Sequence, residues 1–148
     1  MVIPSYPQQK LWEESVANLH MNGSGLETLY QEQSRSKFAI PVRDQFTNEH
    51  IPLAGIFELI KSESGEMKLT RLAGLETLHI LFQHTYRNLY IPALGLMEWH
   101  FSTTAQIAEK VEMHRLNRST AGFKVSELGT MILNQIMEGV SIHEAVET

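Results

Sequence analysis

The chain contains no cysteine, which excludes disulfides, thiolate zinc sites and cysteine nucleophiles together. It also lacks any run of 18 or more apolar residues, so no membrane-spanning helix is expected. The opening MVIPSYPQQKLWEE has neither a basic segment nor an apolar one after it, unlike a secretory leader. A cytoplasmic location is the resulting expectation. Internal repeats, low-complexity stretches and long linkers are absent too, as are phosphate-cradling loops and nucleophile motifs. Positive charge is scarce: 12 Lys and Arg face 17 Asp and Glu, for a net charge of −5. A surface of that sign does not wrap nucleic acid non-specifically.

What is present is an ordinary globular composition. The 148 residues are 43% hydrophobic and 20% charged, enough to bury a core within one domain. A first helix is predicted from about Pro7, burying Leu11, Trp12, Val16 and Leu19. Ser24 and Glu27 have capping-box spacing, which predicts a second helix from Gly25 to about Ser36. Pro41 and Pro52 then interrupt helices. IPLAGIFELIK and EMKLTRL flank the turn-like SESG with partial alternation at Phe57, Leu59, Met67, Leu69 and Arg71, which predicts a β-hairpin over 53–72. A helical reading of 53–61 stays open.

Residues 75–90 carry the strongest helical periodicity, through Leu75, Leu78, Phe82, Tyr86 and Leu89. IPALGLMEWHF reads as a strand or a buried helical segment, with strand preferred. Thr103 and Gln106 have capping-box spacing ahead of an apolar stripe of Ile107, Ala108 and Val111. A last strong helix is expected over 126–138, facing Leu128, Met131, Ile132 and Ile136 inward and stopping at Gly139. Ser141 and Glu144 suggest a short closing helix. The fold class expected is α+β and helix-rich: a single domain over 1–148 with about five helices and one β-hairpin.

One stretch stands out by charge. Residues 102–124, STTAQIAEKVEMHRLNRSTAGFK, hold four cations against two acids, and 113–124 holds no acid at all. Ala108 is a small residue between the anchors Ile107 and Val111, as the first helix of a helix-turn-helix requires. Asn117, Arg118, Ser119 and Thr120 are types that reach base edges and phosphates from a recognition helix. On T-A-Q-I-A-E-K-V followed by L-N-R-S-T-A, the segment resembles the paired helices of helix-turn-helix regulators such as many bacterial repressors. It departs from them at Glu112, where the turn glycine would stand, and at Gly122, which breaks the second helix. The resemblance implies a small cytoplasmic regulator that binds DNA through 103–124. Lys110, Arg115, Arg118 and Lys124 would contact phosphates, and Asn117, Ser119 and Thr120 would contact bases.

Other constellations are thinner. Glu76 and His79 have the Glu-x-x-His spacing of helical carboxylate-bridged metal sites, yet no second copy exists and His84 falls about 140° round the helix from His79. Glu98 and His100 would share a face if 94–101 were a strand, and could then do acid–base chemistry. Seven methionines, among them Met113, Met131 and Met137, suit either core filling or an adaptable apolar surface for a partner or a second subunit. The alternative function is therefore a protein-binding adaptor or inhibitor with an acidic surface and no nucleic-acid contact. A small enzyme of unknown reaction ranks third. A homodimer is expected, and no cofactor, metal or membrane association.

Overall fold

Pro7 introduces a strand rather than a helix. In the computed structural model, which describes residues 1–32, 35–63 and 65–146, Gln8–Trp12 forms β1 and only Glu13–Asn18 forms a helix, α1. The cause is pairing: β1 runs antiparallel to β3, Arg35–Pro41, with Trp12 opposite Lys37 and Gln8 opposite Pro41. The helix expected over 25–36 is likewise a strand, β2, Glu27–Glu32, on the other edge of β3. Its capping box fails because Asn22 intervenes. The Asn22 Oδ1 accepts the Ser24 backbone N–H at 2.9 Å, forming a local turn. Tyr30 then packs edge-on to Trp12, with centroids 6.3 Å apart.

The chain divides into two compact units, Met1–Pro52 and Leu53–Thr148. The first holds the sheet just described, with Val16, Ala39 and Ile40 buried.

The second unit corrects the hairpin. Ile56–Ser62 (β4) and Lys68–Leu72 (β5) are both strands, but they do not pair. Met113–Ser119 (β6) lies between them, parallel to β4 and antiparallel to β5. Two three-stranded sheets among the described residues therefore replace the single hairpin. The alternation seen at 57–71 is real strand character, but period-2 patterning carries no information about which strand sits beside which.

The helices of this unit are Leu75–His84 (α2), Tyr90–Ala93 (α3), Met97–Lys110 (α4) and Val125–Val146 (α5). Residues 91–101 are thus helical, not a strand. Two backbone bonds close α3: Leu96 N–H to Ile91 O at 3.0 Å and Gly95 N–H to Pro92 O at 3.1 Å. Gly95 takes φ +68° between them, the left-handed cap that glycine adopts without a Cβ penalty. Thr103 does not cap α4 but lies inside it, its hydroxyl donating to Trp99 O at 2.9 Å. Gly139 does not stop α5, which runs on to Val146; the capping side chains Ser141 and Glu144 lie outside the described set.

Leu72, Ile80 and Met113 form the buried cluster, with Ile56 and Leu81 against it. Ile56, Met113 and Leu72 stand opposite one another across the three strands, so this face of the sheet is covered by α2. Leu116, on the opposite face of β6, is 0% exposed.

Candidate functional site

The basic segment folds as helix then strand. After α4, only Val111 and Glu112 precede β6, so there is no second helix and no helix-turn-helix. Met113 and Leu116 explain why. Both are fully buried, and a central strand lets the backbone of 113–119 pair on both sides, as a buried segment must.

The seven residues expected to face DNA are dispersed. Lys110 ends α4, and Thr120 is exposed beyond β6. Arg115, Asn117 and Ser119 share the α2 side of β6, whereas Arg118 points to the other side with His114 and Leu116. Ser119 is buried, its Oγ accepting the Ala121 N–H at 3.0 Å. The Asn117 Oδ1 is buried with no hydrogen-bond partner among the described residues. Lys124 sits 3.8 Å from Glu127.

Arg115 is committed elsewhere. Its Nε donates to Glu58 Oε2 at 2.6 Å and its Nη1 to Glu76 Oε1 at 2.7 Å. His84 Nε2 reaches the other oxygen of Glu58 at 3.3 Å. The Glu58 side chain is only 9% exposed. Burial pushes its carboxyl up, but the hydrogen bonds from Arg115 and His84 outweigh that and hold it below the usual carboxylate range. Those two hydrogen bonds with Glu58 and Glu76 raise the Arg115 guanidinium further. The geometry is that of a structural ion cluster tying β4, β6 and α2 together.

The metal and acid–base constellations are also separated. Glu76 belongs to Arg115, and His79 is exposed. Among the described residues no group of three His, Asp or Glu side chains could hold a metal ion. Glu98 and His100 lie on a helix, about 200° apart, so the shared face expected of a strand is absent. His100 is instead buried against Phe82, edge-on at 5.4 Å. The Thr85 hydroxyl donates to Leu81 O at 2.7 Å and lies 2.9 Å from His100 Nε2. Having spent its proton, it accepts from that nitrogen, which fixes the tautomer with hydrogen on Nε2.

Two features escaped the sequence reading. The first is His114, buried at the centre of the sheet and stacked on Phe57 at 5.5 Å and 18°. Its Nδ1 has no hydrogen-bond partner among the described residues. Burial and the nearby Arg71 push the imidazole pKa down, against the opposing pull of Glu112. It lines a cavity of about 340 Å³ that also involves Phe57, Lys110, Gln135 and Ile136.

The second is an apolar knuckle. Every residue from Pro92 to Trp99 is exposed, although the run is PALGLMEW. Leu89 is 84% exposed, Leu94 67% and Trp99 64%, with Tyr86, Tyr90, Met97 and Phe101 open as well. Buried Ile91 and His100 anchor the two ends. An apolar run of this length is indistinguishable from a core segment in sequence, which is why it reads as a strand or a buried helical segment.

No family model, no curated protein and no solved structure matches this chain.

Proposed function

We propose that the chain is a protein-docking domain, an adaptor rather than a nucleic-acid reader, and that its docking element is the knuckle formed by Tyr86–Phe101. The observation that carries this reading is the unbroken exposure of Pro92 to Trp99 in a segment of apolar residues. Scattered exposed leucines are ordinary, but a contiguous apolar patch is not, and on a protein surface it marks an interaction site. The chemistry suits a protein partner. Trp99, Tyr86 and Tyr90 are the residue types that supply most of the energy at protein interfaces. Met97 adds an adaptable contact. Arg87 and Glu98 are the charges of the segment besides His100, so the knuckle is nearly neutral on an acidic chain and docks without strong repulsion.

The knuckle is also mechanically suited to the role. The Gly95 turn holds α3 against the start of α4, and the His100–Thr85 hydrogen bond pins α4 to the end of α2. A preformed apolar element loses little conformational freedom on binding.

The test compares the wild-type chain with a Leu94→Glu, Trp99→Glu double variant. Both positions are exposed, so the variant keeps its fold, checked by circular dichroism. Wild type should associate in fixed stoichiometry, either with itself in sedimentation equilibrium or with one partner recovered from native lysate. The double variant should lose that association by at least about a hundredfold. Identical behaviour of the two proteins in both measurements ends the proposal.

A further inference from the structure

The cavity beside His114 has the features of a built ligand site and lies apart from the knuckle. Its walls come from β4 and the residues leading into it, the end of α4 and the link that follows, β6, and α5. At about 340 Å³ it falls at the small end of ligand-sized cavities. Its body is apolar, through Phe57 and Ile136. Its polar groups are few, as in sites that orient a small molecule by one or two hydrogen bonds.

Two of those groups are unspent. The His114 imidazole is 4% exposed, yet its Nδ1 has no hydrogen-bond partner among the described residues. A buried polar atom without a partner is a cost that folding ordinarily avoids and that a ligand can relieve. Lys110, at the rim, has no ion-pair partner among the described residues. Glu112, the acid nearest to it in the lining, is held by Arg71 at 2.8 Å. Among the described residues the rim therefore presents a positive charge without an ion pair. Gly139 of α5 leaves the space open: a Cβ there would meet nothing within 4 Å.

We infer that this cavity binds a small, flat aromatic carboxylate, with the ring against Phe57 and Ile136, a ring hydroxyl or N–H bonded to His114, and the carboxylate directed to Lys110. An aliphatic acid would fill the same volume but offer His114 no ring-borne hydrogen-bonding group. A neutral aromatic would leave Lys110 without a counter-charge.

The probe is 4-hydroxyphenylacetate, with its neutral amide, 4-hydroxyphenylacetamide, as the control, titrated by calorimetry into the full chain. The acid should bind saturably with a Kd of about 1 mM or tighter. His114→Phe keeps a ring stacked on Phe57 and should weaken the acid about tenfold. Lys110→Met, at an exposed position, should weaken the acid and leave the amide unchanged. Gly139→Leu, at a position where a Cβ meets nothing within 4 Å, extends a side chain into the cavity and should abolish binding of both. Absence of saturable binding at about 10 mM probe overturns the assignment. Binding that survives Gly139→Leu, or that is indifferent to His114→Phe, places the probe elsewhere and overturns it equally. Equal affinity for acid and amide overturns the role of Lys110 and the class of ligand with it.

Discussion

Arg115 and His114 are neighbours on one strand, yet the two faces of β6 treat their polar side chains in opposite ways. On the α2 face, Arg115 is paired: its Nε and Nη1 donate to Glu58 and Glu76, and His84 occupies the remaining oxygen of Glu58. On the other face, His114 is the more deeply buried of the two and its Nδ1 is unpaired among the described residues. A buried charge is tolerated only when paired, so the first face was constrained to build its cluster. A neutral imidazole faces a smaller penalty and can be left with an open valence. The lesson is that burial plus charge points to structure here, whereas burial plus an unspent hydrogen bond points to a site.

Leu116 lies on the His114 face, and the strand itself depends on it. At 0% exposure, Leu116→Asp puts a carboxylate in place of a fully buried apolar side chain. The expected loss exceeds about 4 kcal/mol, enough to unfold the second unit. Urea denaturation followed by far-ultraviolet circular dichroism should show the transition of that unit gone. Survival of the second unit would mean that β6 is not the strand on which the sheet depends.

Next in size is the contrast itself. Arg115→Met strands Glu58 with only His84 as a partner, and the Arg115 side chain is 30% exposed, so the full cost of breaking a buried pair is reduced by solvent. About 2 kcal/mol is expected. His114→Phe should instead be neutral or stabilising by up to about 1 kcal/mol, because it removes an unpaired buried nitrogen while keeping the stacked ring. Equal and opposite results, with Arg115→Met harmless and His114→Phe damaging, would invert the comparison.

Acid should separate the same two faces in pH. The lowered His114 pKa means that the unfolded chain binds this proton more tightly. Stability from that face is fully present above about pH 6.5 and declines as the pH falls through the depressed folded value. The lowered Glu58 pKa acts in the same direction but later, beginning near about pH 4.3, the unfolded value. Stability measured across pH 3–8 should therefore fall in two steps. His114→Phe should erase the first and Glu58→Gln the second, and a single step insensitive to His114→Phe would contradict the assignment of the neutral imidazole.

Much of this contrast was hidden in the sequence for definite reasons. Residues 97–101, the start of α4, read as a strand, and Gly139 reads as a stop inside α5, but the helices over 75–84 and 126–138 and the remainder of α4 were visible because apolar residues recur at three and four positions. β6 was not, because a strand buried on both faces, MHRLNRS, loses the alternation that marks an edge strand. Its polar letters read as a basic recognition helix, when Arg115 is in truth spent on acids 57 and 39 residues away in sequence. Nothing local in a sequence announces such partners. β2 is hidden by a Ser24–Glu27 spacing that Asn22 overrides, and PALGLMEW reads as a strand or a buried helical segment because apolarity alone says nothing about what covers it.

Lys124 supplies the smallest effect and the sharpest control. It comes from the same basic stretch as Arg115, but its partner Glu127 is 3.8 Å away on the surface, with both side chains more than a third exposed. A pair of that kind carries a few tenths of a kcal/mol at most, since water and salt screen it and two flexible side chains must be ordered to form it. Lys124→Ala should therefore change stability by less than about 0.5 kcal/mol, and raising the salt concentration should erase even that difference. Arg115→Met should keep most of its effect in the same salt, because Glu58 is shielded from the solvent that does the screening. If the two substitutions respond alike to salt, the α2 face is a surface network after all, and pairing on that face reflects chance proximity rather than the demand of a buried carboxylate.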